Sequence, residues 1–525
     1  MAKRATSYGA SVAISVVIIL GILIVLNCLS NLYFARADLT EDNQYTVSEA
    51  TKSALADLED LVTIEAYFSK QLPSYVMPLK TQVKDLLDEY KAYSKGNLQV
   101  EFIDPGDDKQ LKQKLQFMGI PPVQLNVIQK DKAELTTVYL GLAILYENKQ
   151  EVIPLIRGTE NLEYQITSGI RKVTMSEVKS VGLLPLTDGM SVETSFSKLK
   201  EALQKLYDVK VLDFNSPRGL EKVDTLLILG SKKLSDWEKF QVDQAIMGGA
   251  NAMFLTDMID REEGQLQAKP AEANVNDLLN SYGFQVNSNL VLDRVAAMAA
   301  FSSGFMSFRL PYPFWLKVGK AQLSEDSPSV GLLSAVVFPW TSSVKIKGKE
   351  GAGVKYNVLA RSSDASWLQT GRFDLSPQQS FSKTAGGSYE LAAEGTGTFK
   401  SLFAGREAPK PEGDAARYAK EEQETIEKSP PVKIVVVGNS FMVNDNFLAR
   451  YRKNDLFVEN LIDVMNLGKG LVGIRTRGAT ERPLEEVSEG AKQWVRYGNM
   501  LGIPILVVLF GLSRHFVRKK RKRAL

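Results

Sequence analysis

Hydrophobic positions along the chain fall into three textures. At each end lies an uncharged apolar run: Tyr8 to Leu29, within a stretch free of charge from Arg4 to Arg36, and Tyr497 to Ser513, between Arg496 and Arg514. The first has the length of a membrane-spanning helix and the second sits at the lower limit. Between them, two regions alternate strand-like and helix-like patterns, and a third, near residues 287–404, has short β-rich runs without helical periodicity.

In order, Ser48 suits the N-cap of a helix from Glu49 to Leu58, with Glu49 at its positive end. Val62 to Phe68 alternates as a strand, and Val83, Leu86, Leu87 and Tyr90 form a helical stripe within Leu79 to Tyr93. Leu98 to Ile103 reads as a strand closed by the turn Asp104-Pro105-Gly106, and Lys109 to Phe117 as a helix stopped at Gly119-Ile120-Pro121-Pro122. Leu125 to Gln129 and Thr136 to Tyr146 predict a hairpin across Lys130-Asp131-Lys132. Glu160 to Val173 then closes the domain as a helix.

A second α/β unit begins with the strand Lys179 to Leu184 and the helix Phe196 to Tyr207. Val209 to Asp213, Thr225 to Leu229 and Ala252 to Leu255 read as further strands, with a helix capped by Ser235 through Met247 and a turn at Gly248-Gly249. Gly405 to Pro431 is charged and proline-flanked, as a linker is. The α/β pattern then resumes with the strand Val432 to Val437, the helix Leu456 to Leu467 and a final strand Leu471 to Arg475. One strand and one helix cannot close a core alone, so this return predicts packing onto the sheet begun at Lys179.

Charge gives the apolar ends a direction. Lys3 and Arg4 precede the first run, and Arg518 to Arg523 follows the second, which predicts two spans with both termini in the cytoplasm. Ala35-Arg36-Ala37 resembles a signal-peptidase site, but the apolar stretch before it exceeds the usual signal-peptide length. Removing the nine basic residues of the tails from a net charge of +3 leaves the body at −6, which disfavours nucleic acid; the basic tail suits anionic lipid. Cys28 and His515 are the only cysteine and histidine, both outside the body. Histidine-dependent triads, the usual zinc sites and thiol chemistry are therefore excluded there. No GxxxxGK[ST] phosphate loop occurs.

The order DLTEDNQYTVS, VTIEAYFS, LPSY, LQVEFIDP and GIPP resembles the opening of the gliding-motility-type auxiliary components of ABC transporters. The likeness continues in VVVGNSFMVND, NDLFVENLIDVM and LVGIRTRG. Family members often carry a Gly-His-rich segment after the strand at 179–184; here Pro185 to Met190 has no histidine. The resemblance implies a non-enzymatic subunit without cofactor or metal, partnered by an ABC permease and a cytoplasmic ATPase. Its body would bind cargo or an envelope component.

The expected fold is thus an extracytoplasmic α/β body held in the bacterial inner membrane by N- and C-terminal helices. Its parts are a tail (1–7), a span (8–30), a first α/β domain (38–175), and a discontinuous second one (176–286 with 431–478). A β-rich insertion (287–404), a linker (405–430), a second span (497–513) and a basic tail (514–525) complete it. Asp104, Asp213 and Asp257 fall at strand ends, where open α/β sheets bind ligands, although acidic residues are also ordinary turn formers. Gly438, Asn439 and Ser440 follow a buried strand, either as an amide cradle for an anion or as a tight turn. Ser191, Ser197 and Ser440 have no base nearby in sequence. Two other classes remain: a glycan-acting enzyme pairing Asp104 with Asp257 or Glu101, and a structural scaffold.

Overall fold

The structure is a computed structural model. It describes residues 46–467 except 130–131, 160, 176, 188, 215–219, 262–265, 304–305, 332, 349–352, 382–385, 411–423 and 452, together with 18, 21, 22 and Glu489–Arg523. It divides into two compact units, residues 1–479 and 480–525.

The first unit opens with α1 (Glu49–Ala56), β1 (Val62–Phe68), α2 (Met77–Tyr93), β2 (Leu98–Ile103) and α3 (Lys109–Phe117). It continues with β3 (Val123–Gln129), β4 (Lys132–Val138), β5 (Leu140–Tyr146), β6 (Lys149–Ile153) and α4 (Leu162–Thr174). Ser48 caps α1 by accepting from the Thr51 amide. Strands pair in the order β2-β1-β5-β6, with β1 parallel to β2 and antiparallel to β5. Because alternate residues of a strand face opposite sides, Ile64, Ala66 and Phe68 meet Leu87 and Tyr90 of α2 and Ile166 and Ile170 of α4. Tyr67 packs on the other face with Leu115, Ile120 and Ala143. Glu163 of α4 accepts from the Ser48 amide and the Thr51 hydroxyl, both at 2.7 Å, and so ties α1 to this layer.

Next come β7 (Ser180–Pro185), α5 (Val192–Ser195), α6 (Ser197–Gln204), β8 (Asp208–Val211), β9 (Thr225–Leu229), α7 (Asp236–Met247) and β10 (Asn251–Leu255). After them follow β11 (Ile259–Arg261), β12 (Gln267–Pro270), α8 (Asn276–Ser281), β13 (Phe284–Val286), β14 (Leu290–Asp293), β15 (Ala296–Ser303) and β16 (Met306–Gly319). Then come β17 (Ala335–Pro339), β18 (Val344–Ile346), β19 (Val354–Arg361), β20 (Ser366–Gln369), β21 (Phe373–Asp374) and β22 (Glu390–Gly397). The unit ends with β23 (Val432–Val437), α9 (Asp445–Leu448) and α10 (Asn454–Leu467).

The main sheet has seven strands in the order β19-β22-β23-β10-β9-β7-β8. Strands β8, β7, β9, β10 and β23 are mutually parallel, and by chain order they read 2-1-3-4-5, a doubly wound arrangement. Every residue of β9 is buried, as expected for a strand covered on both faces. On one face Leu227, Met253 and Val435 meet Phe196, Leu199, Phe457 and Leu461. On the other Leu226, Ile228, Phe254 and Val436 meet Val242, Ile246, Leu278 and Tyr282. Strands β22 and β19 extend the sheet antiparallel beyond β23. Smaller sheets, including β15-β16-β17 and β11-β12-β21, stand around the strand ends.

The second unit contains α11 (Glu489–Arg523), 35 residues with Pro504 inside. Among the described residues no helix is long and apolar enough to cross a membrane. The uncharged run in α11 is bounded by Arg496 and Arg514 at 17 residues, the bottom of the usual range rather than the ~20 typical of a span. The span expected at 497–513 is therefore not supported. The two-pass inner-membrane placement, with both termini cytoplasmic and the body outside, fails with it. The span expected at 8–30 lies outside the described residues apart from 18, 21 and 22, as does the strand expected at 471–475.

Candidate functional site

Parallel strands release their chains at one end of the sheet, and the loops there diverge where strand order reverses, which leaves a crevice. In this protein the loops after β7, β9, β10 and β23 surround a cleft of roughly 1200 Å³. That exceeds the ~300–1,000 Å³ typical of small-molecule sites. Asp257 and Ser440, far apart in sequence, meet here because β10 and β23 are neighbours. The Ser440 amide donates to Asp257 at 3.0 Å, and the Ser440 hydroxyl donates to the other carboxylate oxygen. The Ser231 hydroxyl, after β9, donates to the Asp257 carbonyl. Burial pushes the Asp257 carboxyl above the ordinary range; the two bonds from Ser440 and the charge of Arg261 oppose that rise.

The Gly438-Asn439-Ser440 turn is committed to the fold. Gly438 donates to Leu391 at 3.1 Å, and its carbonyl accepts from Ser342 at 2.8 Å. A Cβ at Gly438 would come within 2.0 Å of the Ser342 carbonyl oxygen, so close chain approach requires glycine here. Asn439 is buried, accepts from the Met442 amide at 2.7 Å and donates to the Pro339 carbonyl. With the Ser440 amide given to Asp257, the Gly438 and Ser440 amides are both directed to the protein itself.

The other candidates are dispersed. Asp104 ends β2 in the four-stranded sheet and accepts from the Gly106 amide at 3.0 Å, an Asx turn. It does not line the cleft, and Glu101 is exposed on β2 beside Gln99. The structure therefore does not bring either residue to Asp257 in the cleft. Asp213 is exposed beyond β8. Ser191 caps α5, and the Ser197 hydroxyl donates to Asp445 at 2.6 Å. Among the described residues no group of three His, Cys, Asp or Glu could hold a metal ion.

Sequence reasoning missed the aromatic side of the cleft. Phe301, Tyr312, Trp315 and Trp340 come from β15, β16 and the end of β17, and Phe441 follows Ser440. Arg261 of β11 lies between two of them, its guanidinium carbon 4.5 Å from the Trp340 ring centre and 3.9 Å from that of Phe441. Trp340 has φ of 49°, a left-handed backbone that a bulky residue holds at a cost of about 1–3 kcal/mol. The available signal was the aromatic density of FRLPYPFWL and FPW within the β-rich region.

These strand ends lie within a segment, residues 178–466, that matches the family described as ABC-type uncharacterized transport system. The chain belongs to that family. Residues 41–145 match a domain of unknown function, DUF7088. An uncharacterized protein of Borreliella burgdorferi is 22 % identical over 522 residues, spanning 96 % of this chain and 97 % of its own. Among solved structures, the mmIFT52 N-terminal domain is 13 % identical with a TM-score of 0.33, over 54 % of this chain and 96 % of its own; at that score the likeness carries no argument. Membership in the ABC-type uncharacterized transport system family gives the protein a transport-associated role alongside transporter components.

Proposed function

We propose that the protein is a non-enzymatic auxiliary subunit of a bacterial ABC transport system of the gliding-motility type. It works with a separate permease and ATPase, and its strand-end cleft receives cargo or an envelope component. The observation that carries this reading is the position of the cleft: it opens at the carboxyl ends of the parallel strands inside the segment that defines the family. The body has no histidine or cysteine, and Asp257 is engaged by Ser440. Both features suit binding better than turnover. ATP-driven motion can act on a ligand only through a difference in its affinity between two states, so the ligand binds the ATP-bound and ADP-bound complexes unequally. The test is a mild-detergent pull-down of the tagged full chain with mass spectrometry. Recovery of an ABC permease and ATPase supports the reading, and their absence from an intact preparation refutes it.

A further inference from the structure

We propose that the strand-end cleft is a saccharide site whose ligand is a neutral glycan of more than one ring. This rests on the reading above that the cleft is the ligand site. Three features of the lining select the chemistry. Charge is balanced: among the described lining residues, Lys232, Lys233 and Arg261 face Asp257, Asp260 and Glu272 in number. The Gly438 to Ser440 turn, a candidate phosphate cradle, has its Gly438 and Ser440 amides given to Leu391 and Asp257. Neither that charge balance nor that turn favours a nucleotide or another multiply charged anion.

The remaining lining divides by origin. Aromatic rings come mainly from the β15-β16-β17 sheet, while hydroxyls and carboxamides come from the strand-end loops and the short helices α5 and α9. Thr187, Ser195, Ser231 and Asn446 are examples of the second group. A sugar ring has the matching division, with C–H faces that pack on aromatic rings and hydroxyls that both donate and accept. The indole nitrogen of Trp315, on this aromatic side, is buried without a hydrogen-bond partner among the described residues. Trp340 is held in a left-handed backbone beside this lining, as residues at binding sites often are. The size of the cleft suits several linked rings rather than one.

The experiment titrates the purified full chain with malto-, cello- and chito-oligosaccharides of increasing length, read by tryptophan fluorescence and calorimetry. At least one series binds more tightly as it lengthens. Phe441→Ala lowers that affinity about tenfold and Asn446→Ala about threefold. Asn446 is exposed at the rim, so its variant folds as the parent does and keeps the test open if Phe441→Ala is damaged. ATP and inositol hexakisphosphate are the anionic controls. Binding of neither variant changed, preference for the phosphates, or no saccharide binding at millimolar ligand would each overturn the proposal. Copurification of permease and ATPase without saccharide binding sinks this inference alone; saccharide binding without copurification sinks the transport reading alone.

Discussion

Asp243 offers a sharp test of how the second face of the main sheet is held. It lies on α7, fully buried, and accepts four hydrogen bonds: from Tyr282 at 2.8 Å, the Ser401 hydroxyl at 2.6 Å, the Leu402 amide at 3.0 Å and Gln244 at 3.0 Å. Two of these donors belong to the chain just after β22, where Phe399 and Phe403 pack against Tyr282 and Phe240. Asp243→Ala strands three buried donors at about 1–3 kcal/mol each. Since such losses do not add fully, a total of about 3–5 kcal/mol is expected. Asp243→Asn keeps one oxygen for Tyr282 and Leu402 and turns an amide toward Ser401, which can accept from it. Its cost should be about 1–2 kcal/mol. Hydrogen exchange by mass spectrometry on peptides spanning 396–408 reads the local effect. A loss of 3 kcal/mol accelerates exchange at Leu402 by about a hundredfold. Exchange unchanged in Asp243→Ala, or equal in the two variants, would show that the carboxylate does not anchor this segment.

Other outcomes follow from single groups. Gly438→Ala drives a methyl into the Ser342 backbone and should cost about 3 kcal/mol, read as a lowered urea midpoint. Ser235→Ala removes the capping box with Glu238 at the start of α7 and should cost about 1 kcal/mol by the same assay. Burial raises the Asp224 carboxyl, but hydrogen bonds from Lys179 and Ser180 win and hold it below the ordinary range. Its contribution to stability is therefore present above the unfolded pKa and lost as pH falls through the folded one. Asp224→Asn should match wild type most closely in acid and fall behind as pH rises. Asp257 has the opposite sign. Its raised carboxyl makes wild type lose stability as pH rises from the ordinary carboxylate range to the folded pKa, and Asp257→Asn should lack that slope. Urea midpoints across pH check both variants, and a difference from wild type of the wrong sign counts against each assignment.

Local signals were legible and long-range ones were not. Ser48 and Ser235 announced α1 and α7 because an N-cap is chemistry within three residues. The run from Thr136 to Tyr146 reads as one strand, yet it changes partners at Tyr139: β4 pairs with β3, and β5 pairs with β1. Both halves are β-rich, so only tertiary placement distinguishes them. Asp257 and Ser440 each stood out as a residue following a strand, but their contact depends on β10 lying beside β23. Gly438 stood out for its amide, whereas its missing side chain is what the crossing of Ser342 demands. At the second span, hydropathy read the apolar run without enough weight on the charges that shorten it.

The late arrival of β23 has a consequence for how the protein is made. Its register with β10 joins Met253 to Val435, so the centre of the main sheet waits for 182 further residues after its neighbour has left the ribosome. Until then β10 has an open edge lined by apolar side chains, and β22, although β19 is already there to pair with, cannot join the main sheet before β23 arrives. Contacts of such long range fold slowly and leave sticky intermediates. A nascent chain of this architecture is therefore expected to need chaperone protection over those 182 residues, about a third of its 525, and a shortage of chaperones should trap it as aggregate before the cleft has formed.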